Sequence, residues 1–233
     1  MRFGLQKLTL LDYPGLTACT VFSCGCNFRC PFCHNPQLVL GGKDSLEYSF
    51  SEILSFLEKR VGMLDGICIT GGEPLLNKEC IQLAKCAKAM GYQVKMDTNG
   101  SDPEKLQRIM EEKCVDYIAM DLKNSPEKYE ATTGFSDIEK IRESVQLLMQ
   151  GRVDHEFRTT VTGNLHTAED FEKIGKWISG AKHYFLQKFR NPGELLSSDG
   201  TQFEVRTEQL LEYREIVRKF VPSVQLRGIE QQN

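Results

Sequence analysis

Apolar positions in this chain alternate between a two-residue and a helical rhythm, and the elements they predict recur as strand, loop, helix. Thr17 to Ser23 is a short β-branched and aromatic run that reads as a strand. Ser49 and Glu52 make a capping-box pair ahead of Ile53, Leu54, Leu57 and Val61, whose spacing marks one helix face. Ile67 to Thr70 is the next strand and runs into the turn sequence Gly71-Gly72-Glu73-Pro74. Ile81, Leu83, Ala84, Ala87 and Met90 continue as a helix that Gly91 can end in a left-handed cap. The unit then repeats, with a strand from Tyr92 to Asp97, a turn at Thr98-Asn99-Gly100, and Asp102 capping a helix whose first residue is Pro103. Further strands are predicted at Asp116 to Met120, His155 to Val161, His183 to Phe189 and Val224 to Arg227. Helices are predicted at Asp137 to Gln150, Thr167 to Ser179 and around Thr207 to Phe220, the last after a loop from Arg190 to Phe203.

Strands and helices alternating at this pitch indicate right-handed βαβ units and an α/β fold with a parallel sheet. Periodicity alone does not choose between an open doubly wound sheet and a barrel. No linker interrupts the pattern, so residues 1–233 are expected to form one domain. Function in such folds collects at the carboxyl ends of the strands, where every motif discussed below falls.

A net charge of -3 lacks the basic excess of a general nucleic-acid binder, so neither DNA nor RNA is expected as a partner. Met1 to Leu11 has no continuous apolar core of a signal peptide, and no later segment reaches transmembrane length. A cytoplasmic protein without a membrane partner is therefore expected. Nine cysteines do not read as a disulfide framework, because Cys68, Cys80, Cys86 and Cys114 sit inside apolar-periodic segments, where thiols default to small core hydrophobes. Cys19 belongs to the first predicted strand, and Cys24 is a neighbour of a tighter group.

That group is Cys26, Cys30 and Cys33, with no fourth cysteine in register. Thiolates are the usual ligands of iron-sulfur clusters, and a four-iron cube held by three of them leaves one iron open to a ligand. A Cys3His zinc site using His34 is the alternative, but His34 directly follows Cys33 and no second ligand pair lies nearby. His34 is expected instead to hydrogen-bond near the cluster or to backbone. Paired glycines at Gly71 and Gly72 let backbone approach a ligand, and Glu73 offers an acceptor for an ammonium group, although a plain turn explains the same residues. Asp97-Thr98-Asn99-Gly100 and Met120-Asp121-Leu122-Lys123 each end a strand. Two such carboxylates, a hydroxyl and backbone carbonyls can hold a hard cation, whereas either aspartate alone could simply cap its turn. Lys123 and Arg158 are candidates to neutralise an anionic ligand, and an inward arginine in the strand Glu156 to Val161 needs an anionic partner. Asp12 in Leu11-Asp12-Tyr13-Pro14-Gly15 is either a turn residue or an acceptor for a substrate backbone.

The Cys-x3-Cys-x2-Cys spacing after an apolar segment resembles the signature of the radical S-adenosylmethionine (radical SAM) enzymes. That resemblance implies a partial (β/α)6 barrel of the TIM type. It also implies a 4Fe-4S cluster on Cys26, Cys30 and Cys33, whose free iron takes the amino and carboxylate groups of S-adenosylmethionine. Gly71, Gly72 and Glu73 match the family motif for the methionine amino group. In pyruvate formate-lyase activating enzymes, segments like the two aspartate motifs surround a monovalent cation, so Asp97, Thr98, Met120 through its carbonyl, and Asp121 are implied ligands of Na+ or K+. Asn99, Lys123 and Arg158 fall at cofactor-binding positions, and Asp12 stands where those enzymes meet the substrate peptide. Where they continue with Tyr-His this chain has Phe189-Arg190, which leaves Gln187 or Arg190 to replace an adenosine-contacting histidine.

Leu5-Gln6-Lys7-Leu8, Cys33-His34-Asn35-Pro36, Asp97 to Gly100 and Phe157 to Val161 resemble the anaerobic ribonucleoside-triphosphate reductase activating proteins in particular. The implied activity is reductive cleavage of S-adenosylmethionine to methionine and a 5'-deoxyadenosyl radical, which takes a hydrogen from a glycine of a partner. That partner would be anaerobic ribonucleotide reductase or another glycyl-radical enzyme, with flavodoxin or ferredoxin as reductant. Two alternatives stay open: a radical SAM enzyme for a small molecule, such as the relatives of 7-carboxy-7-deazaguanine synthase, and an iron-sulfur electron carrier that never cleaves the cofactor.

Overall fold

The computed structural model describes residues 2–40, 46–196 and 200–229. Its elements in chain order are β1 (Arg2–Thr9), β2 (Ala18–Ser23), α1 (Pro36–Val39), β3 (Tyr48–Ser49), α2 (Phe50–Glu58), β4 (Gly66–Gly71), α3 (Lys78–Ala89), β5 (Gln93–Thr98) and α4 (Pro103–Glu111). They continue as β6 (Tyr117–Asp121), α5 (Tyr129–Thr133), α6 (Ile138–Met149), β7 (Asp154–Val161), α7 (Ala168–Trp177), β8 (Tyr184–Lys188), α8 (Thr207–Arg218) and β9 (Val224–Arg227). All nine strands join one sheet in the order β3-β1-β2-β4-β5-β6-β7-β8-β9. From β2 through β9 every neighbouring pair is parallel, and β1 pairs antiparallel with both β2 and β3.

Local chemistry sets the helix starts. Ser49 and Glu52 form the reciprocal capping box at α2, Asp102 caps α4 ahead of Pro103, and Thr167 with Asp170 does the same at α7. Four features lie outside the sequence expectations: β1, the two-residue β3, and the short helices α1 and α5. Cys86, expected in the core, is partly exposed, whereas Cys68, Cys80 and Cys114 are buried as expected.

Alternation along the strands divides the sheet into two unlike faces. Val21, Ile67, Ile69, Val94, Met96, Ile118, Met120 and Phe157 are fully buried and form one core with Ile53 and Leu57 of α2, Leu83 and Ala87 of α3, and Phe171 and Ile174 of α7. Burial of each such side chain contributes about 1.5–3 kcal/mol. Most of the intervening strand positions are polar, Thr70, Lys95, Asp97, Asp121, Glu156, Arg158 and Gln187, with Cys68 and Ala119 among them. Strands two apart in a flat sheet are about 9.5 Å apart, yet Arg158 of β7 bonds Asp97 of β5 at 3.2 Å, and Arg227 of β9 bonds Glu156 of β7 at 2.8 Å. Long side chains make these crossings, and because Thr70, Asp97, Asp121, Arg158 and Gln187 of β4 to β8 line one cleft, the polar face is concave, as in a partial barrel; among the described residues β3 and β9 end the sheet as unjoined edges. Among the described residues no helix is long and apolar enough to cross a membrane.

Candidate functional site

The loop after β2 carries the three clustered thiols and is tied down on several sides. Gly25 donates its N–H to Leu38 at 2.7 Å, and Arg29 donates its N–H to Thr133 at 2.7 Å. Phe28 packs edge-on against Tyr129 at 6.1 Å between centroids, and Phe32 lies 6.1 Å from Phe203. The Gly71-Gly72 turn docks on the same loop, with the Gly72 N–H on Ser23 at 2.8 Å and the Glu73 N–H on Gly25 at 2.8 Å. A Cβ at Gly72 would stand 2.1 Å from the Gly25 oxygen, and one at Gly71, whose φ is +113°, would stand 2.4 Å from the Ser23 oxygen. Both glycines are therefore required by the approach of two loops at the strand ends, in addition to any approach of a ligand.

Between these loops and the concave face lies a cleft of about 380 Å³. Cys26, Cys30, Cys33, Gly71, Gly72, Glu73, Asp97, Thr98, Asn99, Asp121, Lys123, Arg158 and Asp12 all line it, so the structure brings almost every sequence-predicted site residue together. Met120, expected to contribute only its carbonyl, has its side chain buried on the helix side against Gly100. Asp12 enters from the β1–β2 connection and accepts a bond from Thr20 Oγ1 at 2.5 Å.

Glu73 is 1% exposed, and its carboxylate is engaged within the fold. Oε1 accepts the Leu75 N–H at 3.0 Å and the Thr98 hydroxyl at 2.8 Å, and Oε2 accepts the Asn99 N–H at 2.6 Å. Glu73 also lines the cleft, and Oε2, with a single donor, keeps acceptor capacity for a ligand beside the backbone of Gly71 and Gly72. Burial pushes the Glu73 carboxyl up to about 7 against the opposing pull of these three donors. Because the folded value lies above the ordinary one of 4.5, the stability Glu73 contributes is fully present below that value and is lost as pH rises toward 7. Glu73→Gln forces an NH2 group against one of the three donors, so it is expected to cost about 1–3 kcal/mol. Chemical unfolding of the two proteins at several pH values between 4.5 and 7 checks this: the gap should narrow as pH rises, and a constant gap would refute the assigned titration.

A ladder of alternating charge crosses the concave face. Lys95 bonds Asp97, Asp97 bonds Arg158 at 3.2 Å, Arg158 bonds Asp121 at 2.9 Å, and Asp121 bonds Lys123 at 3.0 Å. Burial opposes every charge in it. Arg158 and Lys95 nevertheless hold Asp97 below the usual carboxylate range, and Arg158 and Lys123 do the same for Asp121. Lys95 and Thr70, which donates to Asp97 at 3.0 Å, were absent from the sequence expectations. The sequence does hold a signal: Lys95 and Asp97 are two apart on one strand, and hence on one face.

Cys26 Sγ accepts from the Phe28 N–H at 3.4 Å and lies 3.7 Å from Asn99 Nδ2, which also donates to Asn27 at 3.0 Å. Burial pushes the Cys30 thiol up to about 12, with Lys123 pulling the other way. Such thiols ionise when metal binds them. Among the described residues no three His, Cys, Asp or Glu side chains converge on one metal-ion position. The three thiols on one cleft wall, with N–H donors on one sulfur, fit a cluster several ångströms across. In the same cleft the ladder carries three cations and two carboxylates, and its Lys123 and Arg158, which line the cleft, can face an anionic group such as an amino-acid carboxylate. His34 Nε2 donates to the Arg190 carbonyl at 2.9 Å and its ring stacks on Phe189 at 5.3 Å, the backbone contact expected for it.

The family model for the radical SAM superfamily matches residues 20–178. A Methanocaldococcus jannaschii protein, provisionally named a glycyl-radical enzyme activating enzyme, is 33% identical over 97% of this chain and 95% of its own length. The pyruvate formate-lyase-activating enzyme of Listeria monocytogenes is 34% identical over 54% of each chain, so the match spans about half of that relative. Among solved structures, Streptococcus suis SuiB bound to S-adenosylmethionine superposes with a TM-score of 0.65 at 11% identity, covering 89% of this chain and 49% of SuiB. At that identity the likeness speaks for the fold alone. The three-thiol loop, the strand-end cleft and the family match over more than half of its length lead to one conclusion: the chain belongs to the radical SAM superfamily, whose members work with a 4Fe-4S cluster and S-adenosylmethionine.

Proposed function

We propose that this protein is a glycyl-radical enzyme activating enzyme, with residues 1–233 as a single radical SAM domain working in the cytoplasm. The observation that carries the proposal is the near end-to-end match to a relative of that provisional name. Cys26, Cys30 and Cys33 would hold the cluster, and the bound cofactor would supply one-electron cleavage and hydrogen abstraction. The chain's own residues bind, orient and shield. Backbone at Gly71 and Gly72 and the Glu73 carboxylate would meet the amino group of the methionine moiety, and Lys123 and Arg158 would face its carboxylate. Asn99 fixes the Cys26 sulfur, and Asp12 meets the partner's peptide. No side chain is needed as a general acid or base.

The partner is a protein bearing a glycyl-radical site, with anaerobic ribonucleotide reductase as first candidate. An external one-electron donor of flavodoxin or ferredoxin type fits the remaining cysteines, of which Cys19, Cys68, Cys80 and Cys114 are dispersed through the core. The test is anaerobic: cluster-loaded protein, dithionite and S-adenosylmethionine are mixed with a candidate partner, and a glycyl-radical electron paramagnetic resonance signal is followed. A signal that grows with 5'-deoxyadenosine supports the proposal. Deoxyadenosine released only with a small heterocycle moves the protein to small-molecule chemistry, and none under any condition leaves an electron carrier.

A further inference from the structure

The two carboxylates that the resemblance assigns to a monovalent metal ion carry tethered cations on every oxygen. Asp97 Oδ1 takes Lys95 Nζ, and its Oδ2 takes Arg158 Nη1 at 3.2 Å and the Thr70 hydroxyl at 3.0 Å. Asp121 Oδ1 takes Arg158 Nε at 2.9 Å, and its Oδ2 takes Lys123 Nζ at 3.0 Å. The Thr98 hydroxyl is used as well, donating to Glu73 at 2.8 Å and accepting from the Gly100 N–H at 3.1 Å. A hard cation needs several oxygens at once, and here it would have to displace donors already in place. It would also add a positive charge beside the three cations already bound to these carboxylates, in a region largely removed from water, where like charges repel most strongly.

Lys95 is the least exposed cation of the ladder. It is 1% exposed in the middle of β5, and a lysine is buried so completely only where it is paired. Its ammonium is a compact point charge with three donors, electrostatically the counterpart of a bound monovalent ion. We propose that Lys95 is a positioning residue that serves as the resident cation of this site, holding Asp97 for Arg158, so that the chain binds S-adenosylmethionine without Na+ or K+. The cofactor half of this statement rests on the proposed function.

The test uses cluster-loaded protein in tetramethylammonium, sodium and potassium chloride at equal ionic strength, with two readouts: the thermal midpoint without cofactor and the equilibrium affinity for S-adenosylmethionine. Wild type is expected to keep one midpoint across the three salts and one affinity within about twofold. Lys95→Met should lose midpoint and about tenfold in affinity in tetramethylammonium, with part of both restored by sodium or potassium. Lys95→Arg should remain indifferent to the salt. A wild type whose midpoint or affinity climbs with Na+ or K+ overturns the proposal, and so does Lys95→Met matching wild type in tetramethylammonium. Should Lys95→Met not fold, the wild-type salt comparison decides alone. Absence of cofactor binding in every salt would sink the proposed function, while the midpoints would still decide the role of Lys95.

Discussion

Cys30→Ala is expected to abolish both the cluster and the production of 5'-deoxyadenosine, to below detection in anaerobically reconstituted protein. Three thiols line the cleft without a spare in register, so removing one leaves a four-iron cube with two protein ligands. Cys30 is the most informative of the three because it is also the most buried, 6% exposed within the core cluster. As a mere packing residue it would be a small hydrophobe, and its truncation would cost about 1 kcal/mol. The two roles therefore separate cleanly. Ligation predicts lost iron and lost cleavage with an unchanged far-ultraviolet circular dichroism spectrum in the cluster-free proteins. Packing alone predicts a slightly lower midpoint with iron and turnover retained, and that result would remove the cysteine loop from the proposed chemistry.

The capped helices were legible because their signals are local. Ser49 with Glu52, Asp102 with Pro103, and Thr167 with Asp170 each satisfy free backbone N–H groups within one turn, so four residues suffice to mark the start. β1 was not legible, because its order comes from two antiparallel neighbours distant in sequence, β2 and β3, and the alternation of Arg2 to Thr9 is too mixed to announce it. The short α1 and α5 are held by tertiary contacts, such as the Arg29 N–H on Thr133, and not by their own propensity.

In the site, the motifs pointed to the strand ends and to an inward Arg158 with an anionic partner, but not to every group that turns inward. Glu73 read as an acceptor for an ammonium group, and the structure adds a second role that its motif did not announce, a carboxylate clamp between two turns. Lys95 escaped because lysines are ordinarily solvated and because it lies three residues before its strand end. Only the curvature of the sheet shows that Arg158, Lys95 and Lys123 share two carboxylates, since that contact spans three strands.

Arg158→Met should be the most damaging substitution on the concave face, and its pH dependence identifies the cause. Arg158 is the one cation that touches both carboxylates, Nη1 on Asp97 at 3.2 Å and Nε on Asp121 at 2.9 Å. Breaking a buried ion pair costs about 3–5 kcal/mol, and the low end applies here because Lys95 and Lys123 each keep one hold. In wild type both carboxyls lie below their ordinary value, so the stability they contribute is present above that value and is lost as pH falls through the folded one. Without Arg158, burial raises both, and the variant loses less on acidification. Urea unfolding should thus show a gap of about 3 kcal/mol near neutral pH that narrows as pH falls below about 4. A gap independent of pH would assign the loss to packing of the arginine stem. Arg158→Lys should not rescue the variant, because one ammonium cannot reproduce a planar fork that serves two carboxylates at once.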